Sequence, residues 1–220
     1  MSHQHQQKSN KNHTHEHTVW QELVCHFPYA VFSVAFALTL VSFIPMTGSG
    51  VHEQSHALFH SFHFMHIVFA ATGTMITFLR YSRNVMLGLV VSFFSPAFFC
   101  ILSDAILPYY GGLMLGVKMH WHICFITELH NVLPFLFVGM LTGIALNYHG
   151  SSQQGFYSVF SHFVHIFVSS IASTFYLISH GFTNWNESIG FVFLFLVVAV
   201  VVPCTFSDVI VPMLFARANN

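Results

Sequence analysis

Long apolar runs alternate with short polar connections along the chain from residue 21 onward. A helix that crosses a membrane needs about 20 largely apolar residues. Six runs reach that length, at residues 27–45, 57–79, 85–108, 121–146, 156–179 and 189–215. The pattern therefore predicts an all-α, multi-pass membrane protein with six transmembrane helices. Residues 1–20 are polar, and we predict that they form a disordered, histidine-rich tail in the cytoplasm.

The second half of the chain repeats motifs of the first half in the same order. The closest match joins the third and sixth predicted spans, where residues 100–108 (CILSDAILP) align without a gap with residues 204–212 (CTFSDVIVP). Glu-Leu and Pro-aromatic motifs pair the first span with the fourth, and a His-x-x-His motif pairs the second with the fifth. The sequence thus predicts two repeats, residues 21–110 and 111–220. Because three spans are an odd number, the second copy is inverted in the membrane, which is typical of secondary transporters.

The composition supports a membrane protein and excludes several other classes. Hydrophobic residues make up 55% of the chain and charged residues only 6%, whereas soluble domains carry about 25% charged residues. The formal net charge is −1, which leaves no basic patch for nucleic acid. Of the six Lys and Arg, only Lys118 lies in a predicted outer loop. We therefore expect an integral protein of the cell (inner) membrane with both termini in the cytoplasm.

Histidine is the unusual residue of this chain, with 18 copies against six Lys and Arg together. Imidazole is costly in hydrocarbon unless it is paired or bound to a metal. Four of the seven acidic residues belong to the repeat, so the predicted topology gathers one His/carboxylate cluster at each membrane face. The predicted group at the outer face would comprise His63, His66, Asp104, Glu128 and His130. The cytoplasmic cluster would comprise Glu22, His162, His165 and Asp208.

Each predicted cluster contains the donors of a metal site. A carboxylate with two imidazoles at positions i and i+3 of one helical face suits a divalent transition metal ion of the Zn, Ni, Co, Fe or Mn class. Accessory ligands would lie along the second span, in the loop opposite it and near the cytoplasmic cluster: His52, His56, His60, His120, His122 and His26. The expected partners are this metal ion and the lipid bilayer. A homo-oligomer would enlarge a chain of 24.9 kDa, which is small for a complete transporter.

Structural roles compete with these functional roles. A single histidine in a membrane helix more often hydrogen-bonds a neighbouring helix than binds metal. The repeated aspartates could instead cap or pack helices that are broken near Pro108 and Pro212. Cys100 and Cys204 lie in apolar helices, where a reduced cysteine behaves as a small hydrophobic residue. The small residues that follow each His-x-x-His motif are expected to let helices pack closely.

Transport of a divalent transition metal ion is the function that these features favour, with one cluster at each mouth and alternating access of the inverted repeats. The same histidines and carboxylates could exchange protons for the metal. A metal-dependent intramembrane enzyme acting on lipid is the main alternative, and it would require the two clusters to merge into one cavity. A small-solute permease or channel, or a subunit of a larger complex, is also compatible with the sequence.

Overall fold

The structure, a computed structural model, describes residues 19–44, 50–122, 124–149, 154–182 and 187–219. These residues form helices and no strands, which confirms the predicted all-α class. The α-helices are α1 (Val19–Ser42), α2 (Val51–Tyr81), α3 (Val85–Ile101), α4 (Leu107–Met114), α5 (Cys124–Thr127), α6 (Leu129–His149), α7 (Gln154–Ser179), α8 (Ile189–Leu196), α9 (Val202–Thr205) and α10 (Val211–Ala218). Residues 1–18 of the predicted tail lie outside the described residues.

Five helical segments in the described part of the chain are long and apolar enough to cross a membrane: Val51–Tyr81, Val85–Met114, Leu129–Tyr148, Val159–Ser179 and Ile189–Ala218. They coincide with the second to sixth predicted spans. The apolar part of α1, Phe27–Ser42, is shorter than a full span. The structure therefore supports a multi-pass membrane protein with five candidate spans rather than the six that the sequence predicts.

Helices α2 and α7 form the centre of the bundle and run antiparallel. His52 near the start of α2 contacts the carbonyl of Ser179 at the end of α7, whereas His66 in the middle of α2 contacts His165 in the middle of α7. Small residues make close packing possible around this pair. A Cβ atom at Gly139 of α6 would lie 2.5 Å from the carbonyl oxygen of Val68, so α6 packs directly on the α2 backbone. This agrees with the packing role expected of small residues.

The third and sixth predicted spans are each interrupted by a π-helical turn that contains the repeated aspartate. The turns cover Leu102–Ile106 and Phe206–Ile210, and a further one covers Val197–Val201. The N–H of Leu107 donates to the Leu102 carbonyl five residues earlier, instead of the usual four. The same pattern would pair the next carbonyl, that of Ser103, with residue 108, which is a proline and has no N–H.

Serine and threonine side chains on α2 and α7 compensate for these missing donors. The Ser173 hydroxyl of α7 donates to the Ser103 carbonyl at 3.1 Å. In the other half of the chain, the Thr74 hydroxyl of α2 donates to the Ser207 carbonyl at 3.0 Å. A free carbonyl in hydrocarbon is costly, so these bonds fix each π turn against the central pair and direct its aspartate toward that pair.

Candidate metal centre

The His-x-x-His motif of α2 meets the aspartate of the first π turn. The Nδ1 atoms of His63 and His66 lie 2.8 and 2.6 Å from Oδ2 of Asp104. The two histidines share one face of α2 because they are three residues apart. All three side chains are buried. The structure thus brings together three of the five residues that the sequence assigned to the predicted group at the outer face.

The second half of the chain forms a matching arrangement. The Nδ1 atoms of His162 and His165 in α7 lie 3.4 and 2.5 Å from Oδ2 of Asp208 in the last π turn. These side chains are also buried. Each set of two histidines and one aspartate has its possible ligand atoms within 4.8 Å of one another, as a metal ion requires. We call these sets the first triad (His63, His66, Asp104) and the second triad (His162, His165, Asp208).

The two triads meet at the centre of the molecule. Nε2 of His66 lies 2.5 Å from Nε2 of His165, and both side chains are fully buried. The expectation of separate clusters on opposite membrane faces is therefore wrong for the triads. The physical reason is that α2 and α7 pack antiparallel, so histidines from the middle of each helix reach the same contact. His66 is also the midpoint of Val51–Tyr81, which places this contact near the middle of the span.

Two cysteines add sulfur donors at the same point. Sγ of Cys204 lies 3.6 Å and Sγ of Cys100 lies 3.7 Å from Nε2 of His66. On a tetrahedral zinc ion, with Zn–S near 2.3 Å and Zn–N near 2.0–2.1 Å, nitrogen and sulfur ligands are about 3.6 Å apart. His66, His165 and Cys100 form one of the groups whose ligand atoms lie within 4.8 Å of one another, whereas Cys204 is outside this group and reaches it through His66 alone. We call His66, His165, Cys100 and Cys204 the central site.

The aspartates orient the central histidines. A carboxylate that accepts the Nδ1 proton of a histidine leaves Nε2 as the lone-pair atom that can bind metal. The closest His–Asp distances of 2.5–2.8 Å are those of hydrogen bonds, shorter than the about 3.3 Å between nitrogen and oxygen ligands on one tetrahedral ion. The 2.5 Å between Nε2 of His66 and Nε2 of His165 is also shorter than the about 3.3 Å between two nitrogen ligands, so these two rings must move apart to hold an ion between them. Asp104 also accepts from the hydroxyls of Ser103 at 2.9 Å and Ser169 at 2.6 Å, which further fixes its position.

Gly73 of α2 lies against Asp208 and provides a test of this orienting role. A Cβ atom at Gly73 would lie 2.6 Å from Oδ2 and 2.9 Å from Cγ of the carboxyl group. We expect Gly73→Ala to displace Asp208 from His165 and to weaken Zn²⁺ binding by about tenfold or more, since partners of ligands typically contribute that much. Gly190→Ala is the matched control, because a Cβ there meets nothing within 4 Å.

Isothermal titration of the purified protein with Zn²⁺ measures this effect. The full-length protein is used after five tail histidines are replaced with glutamine, which removes competing ligands: His3, His5, His13, His15 and His17. We call this protein the tail variant. Equal affinities of the Gly73→Ala and Gly190→Ala forms would contradict a role for Asp208 in binding.

A separate group of possible ligands lies nearer the start of α2, away from the centre of the bundle. We call it the outer cluster: His56, His60, His122 and Glu128. Nε2 of His60 lies 3.3 Å from Nε2 of His56 and 3.7 Å from Oε1 of Glu128. Oε1 of Glu128 lies 3.9 Å from Nε2 of His122. Burial and then the neighbouring His56 lower the pKa of His122 from 6.5, which favours the neutral imidazole that metal ions bind.

The outer cluster borders a cavity of about 720 Å³. Its lining includes His52, His56, His120, His122 and His180. Histidines of α2 therefore follow one another from the lining of this cavity (His52 and His56), past His60 of the outer cluster, to His63 and His66 of the first triad. The described ligand groups on α2 thus extend from one end of the helix to its midpoint.

Other predicted site residues lie apart from the triads. Glu128 belongs to the outer cluster and not to the first triad, because the chain before α6 folds over the start of α2. His130 is exposed on α6. The side chains of Glu22 and His26 lie outside the described residues, so the predicted cytoplasmic cluster is represented by the second triad alone.

The sequence did not identify Cys100, Cys204 and Ser169 as functional candidates. A cysteine within an apolar helix has the same pattern as any small hydrophobic residue. The available signal was the repeat itself, since Cys100 and Cys204 occupy the first position of the matching motifs at 100–108 and 204–212. Ser169 had no such signal, because its partner Asp104 is distant in sequence.

Comparisons of the chain with protein-family models, with curated proteins and with solved structures find no match. Apolar helices and buried His/Asp clusters are compatible with a membrane protein that binds metal ions.

Proposed function

We propose that the protein is a membrane transporter for a divalent transition metal ion, which binds at the central site. The observation that carries this proposal is the contact of His66 with His165 midway along two antiparallel helices. In transporters built from inverted repeats, the substrate site lies near the middle of the membrane at the interface of the repeats. An ion held there can be exposed to either side when one repeat rocks against the other.

Local symmetry supports the proposal of two inverted repeats, residues 21–110 and 111–220. The π turns at Leu102–Ile106 and Phe206–Ile210 occupy matching positions of the repeated motif. The bonds from Ser173 to the Ser103 carbonyl and from Thr74 to the Ser207 carbonyl are also equivalent. On this proposal α1 completes the first repeat as a sixth span. The charge distribution favours the cell membrane, with both termini in the cytoplasm.

The donors of the central site favour zinc within the broader class of divalent transition metals. Two imidazoles and two thiolates are a common tetrahedral set for Zn²⁺, and thiolates select against harder ions such as Mn²⁺. The two carboxylates then belong to the second layer, where they hold the histidines. We accordingly propose His66, His165, Cys100 and Cys204 as the ligands, with Asp104 and Asp208 as positioning residues.

Charge balance favours proton exchange at this site. A cysteine binds metal as thiolate, so binding of one ion releases a proton from each of two thiols. The charge of a divalent ion equals that of the two protons released, so this exchange leaves the total charge of the site, including the carboxylates of Asp104 and Asp208, unchanged in the apolar centre of the bundle. We therefore propose that one divalent ion moves in exchange for two protons.

Flux into proteoliposomes that contain a zinc-sensitive dye and a pH dye tests the proposal. We expect the tail variant to carry Zn²⁺ in exchange for protons. Cys100→Ala and Cys204→Ala should each reduce flux by about tenfold or more, because each removes a ligand. Cys124→Ala is the matched control, since it removes a buried thiol outside the central site and should retain flux at saturating Zn²⁺. Full flux in both central variants would contradict the proposal.

A metal-dependent intramembrane enzyme is the second candidate, and the merging of the two triads into one site favours it. Such an enzyme would use the bound metal to activate water toward a lipid. Mass spectrometry of the liposome lipids, before and after incubation with Zn²⁺, distinguishes the two functions. Lipid cleavage that requires Cys100 and Cys204, in the absence of ion flux, would support the enzyme and overturn the transporter.

A further inference from the structure

The outer cluster has the geometry of a second metal site. The two imidazole nitrogens of His56 and His60 are 3.3 Å apart, which matches the separation of two nitrogen ligands on a tetrahedral ion, about 3.3 Å. Ligand atoms of His56, His60 and His122 all lie within 4.8 Å of one another. Glu128 faces His60 and His122 with the same oxygen, Oε1. The three imidazoles form the compact group, and Glu128 reaches two of them; three imidazoles with one carboxylate suit a divalent transition metal.

An orphaned nitrogen atom points to a ligand at this place. Nε2 of His122 is buried and has no hydrogen-bond partner among the described residues. A buried polar atom without a partner is unfavourable, and a metal ion would satisfy it. The loop that carries His122 is fixed near α2, because the hydroxyl of Tyr176 in α7 donates to the His120 carbonyl at 3.0 Å.

The outer cluster serves one end of the molecule only. The predicted repeat relates His63 to His162 and His66 to His165, a shift of 99 residues, and the same shift relates His56 and His60 to positions 155 and 159. Those positions are glycine and valine, so His56 and His60 have no equivalents in the second half. The cluster is thus an addition to one mouth rather than a copy of repeated machinery.

We infer that the outer cluster is a second metal site, which captures a divalent transition metal ion from the cavity and supplies it to the central site. His60 lies six residues before His66 on the same helix, a rise of about 9 Å, and His63 lies between them. The proposed donors are nitrogen and oxygen atoms. The Cys124 thiol lies 3.6 Å from Nδ1 of His60, whereas the proposed ligand atom of His60 is Nε2, so Cys124 is not one of the donors. Binding at this site is independent of the proposed transport, whereas the transfer to the central site rests on it.

Titration of the tail variant with Co²⁺ tests the site, because a Co²⁺ ion bound by thiolates has a sulfur-to-metal charge-transfer band that an ion bound by His and Glu lacks. We expect two bound ions, of which one gives the band. His60→Ala and His122→Ala should each abolish binding of the Co²⁺ ion that gives no charge-transfer band, while the ion that gives the band stays bound. His130→Ala is the matched control, since His130 is exposed on α6 and should leave both ions in place.

The outcomes separate this inference from the proposed function. Retention of both ions in His60→Ala and in His122→Ala would overturn the outer site. If the tail variant without further substitutions binds one Co²⁺ ion and shows no charge-transfer band, the central site alone is overturned. Glutamine variants at residues 60 and 122 repeat the test if an alanine variant fails to fold, as judged by its elution as a single species in detergent.

Flux measurements then test the transfer step. We expect His60→Ala to raise the half-saturating Zn²⁺ concentration by about tenfold and to leave the maximal rate unchanged, because a capture site acts when the ion is scarce. An unchanged half-saturating concentration would overturn the transfer, while a lower maximal rate would place His60 in the central machinery instead.

Discussion

His66→Ala is expected to lower the affinity of the tail variant for Zn²⁺ by roughly 10²–10³-fold, the largest loss of any single substitution in the bundle. Four-ligand structural zinc sites contribute about 10–16 kcal/mol, so one ligand accounts for about 3–4 kcal/mol. Nε2 of His66 faces His165, Cys100 and Cys204, and its Nδ1 faces Asp104. In the described part of the bundle, His66 is the side chain that contacts members of both triads and both thiols.

His63→Ala is the matched control for this prediction. His63 lies three residues before His66, is equally buried and contacts the same oxygen of Asp104. If the ion binds at the central site, His63→Ala costs only a positioning contact, about tenfold in affinity. If the ion binds within the first triad, with Asp104 as ligand, both variants lose a ligand and weaken binding equally. Competition titration against a zinc chelator of known affinity measures both losses.

Local sequence patterns predicted the elements of the site well. Five of the six predicted spans correspond to helical segments that can cross a membrane, because apolar length is a property of contiguous residues. The spacing of His63 and His66 predicted their shared helix face for the same reason. The predicted topology also grouped each repeated aspartate with its two histidines, as the structure does in both triads.

The depth of the site in the bundle could not be predicted from these patterns. The third predicted span ended at Pro108, which placed Asp104 near an outer helix end. The structure continues this helical segment to Met114, through a π turn that accommodates the proline. Asp104 therefore lies inside the span, because the helical segment continues past Pro108.

The meeting of the two triads depends on how α2 and α7 pack. Ninety-nine residues separate His66 from His165, and no local pattern specifies that these two side chains touch. The repeat predicted two equivalent clusters but not the position of the axis that relates them. Glu128 was misplaced for a similar reason, since its contacts with His60 and His122 depend on the fold of the chain before α6.

Asp104→Asn is expected to destabilise the protein by about 3–5 kcal/mol, and Asp208→Asn by less. Removing one member of a buried charged network costs about that much when donors lose their acceptor. Asp104 accepts from two imidazoles and from the hydroxyls of Ser103 and Ser169. Among the described residues, Asp208 accepts hydrogen bonds from His162 and His165, and its Oδ1 has no hydrogen-bond partner.

The same pair of substitutions separates stability from binding. Each aspartate holds one central histidine by its Nδ1 atom, so both variants should weaken Zn²⁺ binding by a similar factor, about 10–100-fold. Thermal unfolding in detergent without metal should nevertheless show the lower midpoint for Asp104→Asn. Equal midpoints would mean that Ser103 and Ser169 find other partners. Unchanged affinity in both variants, with both proteins folded, would show that the carboxylates do not orient the ligands of the central site.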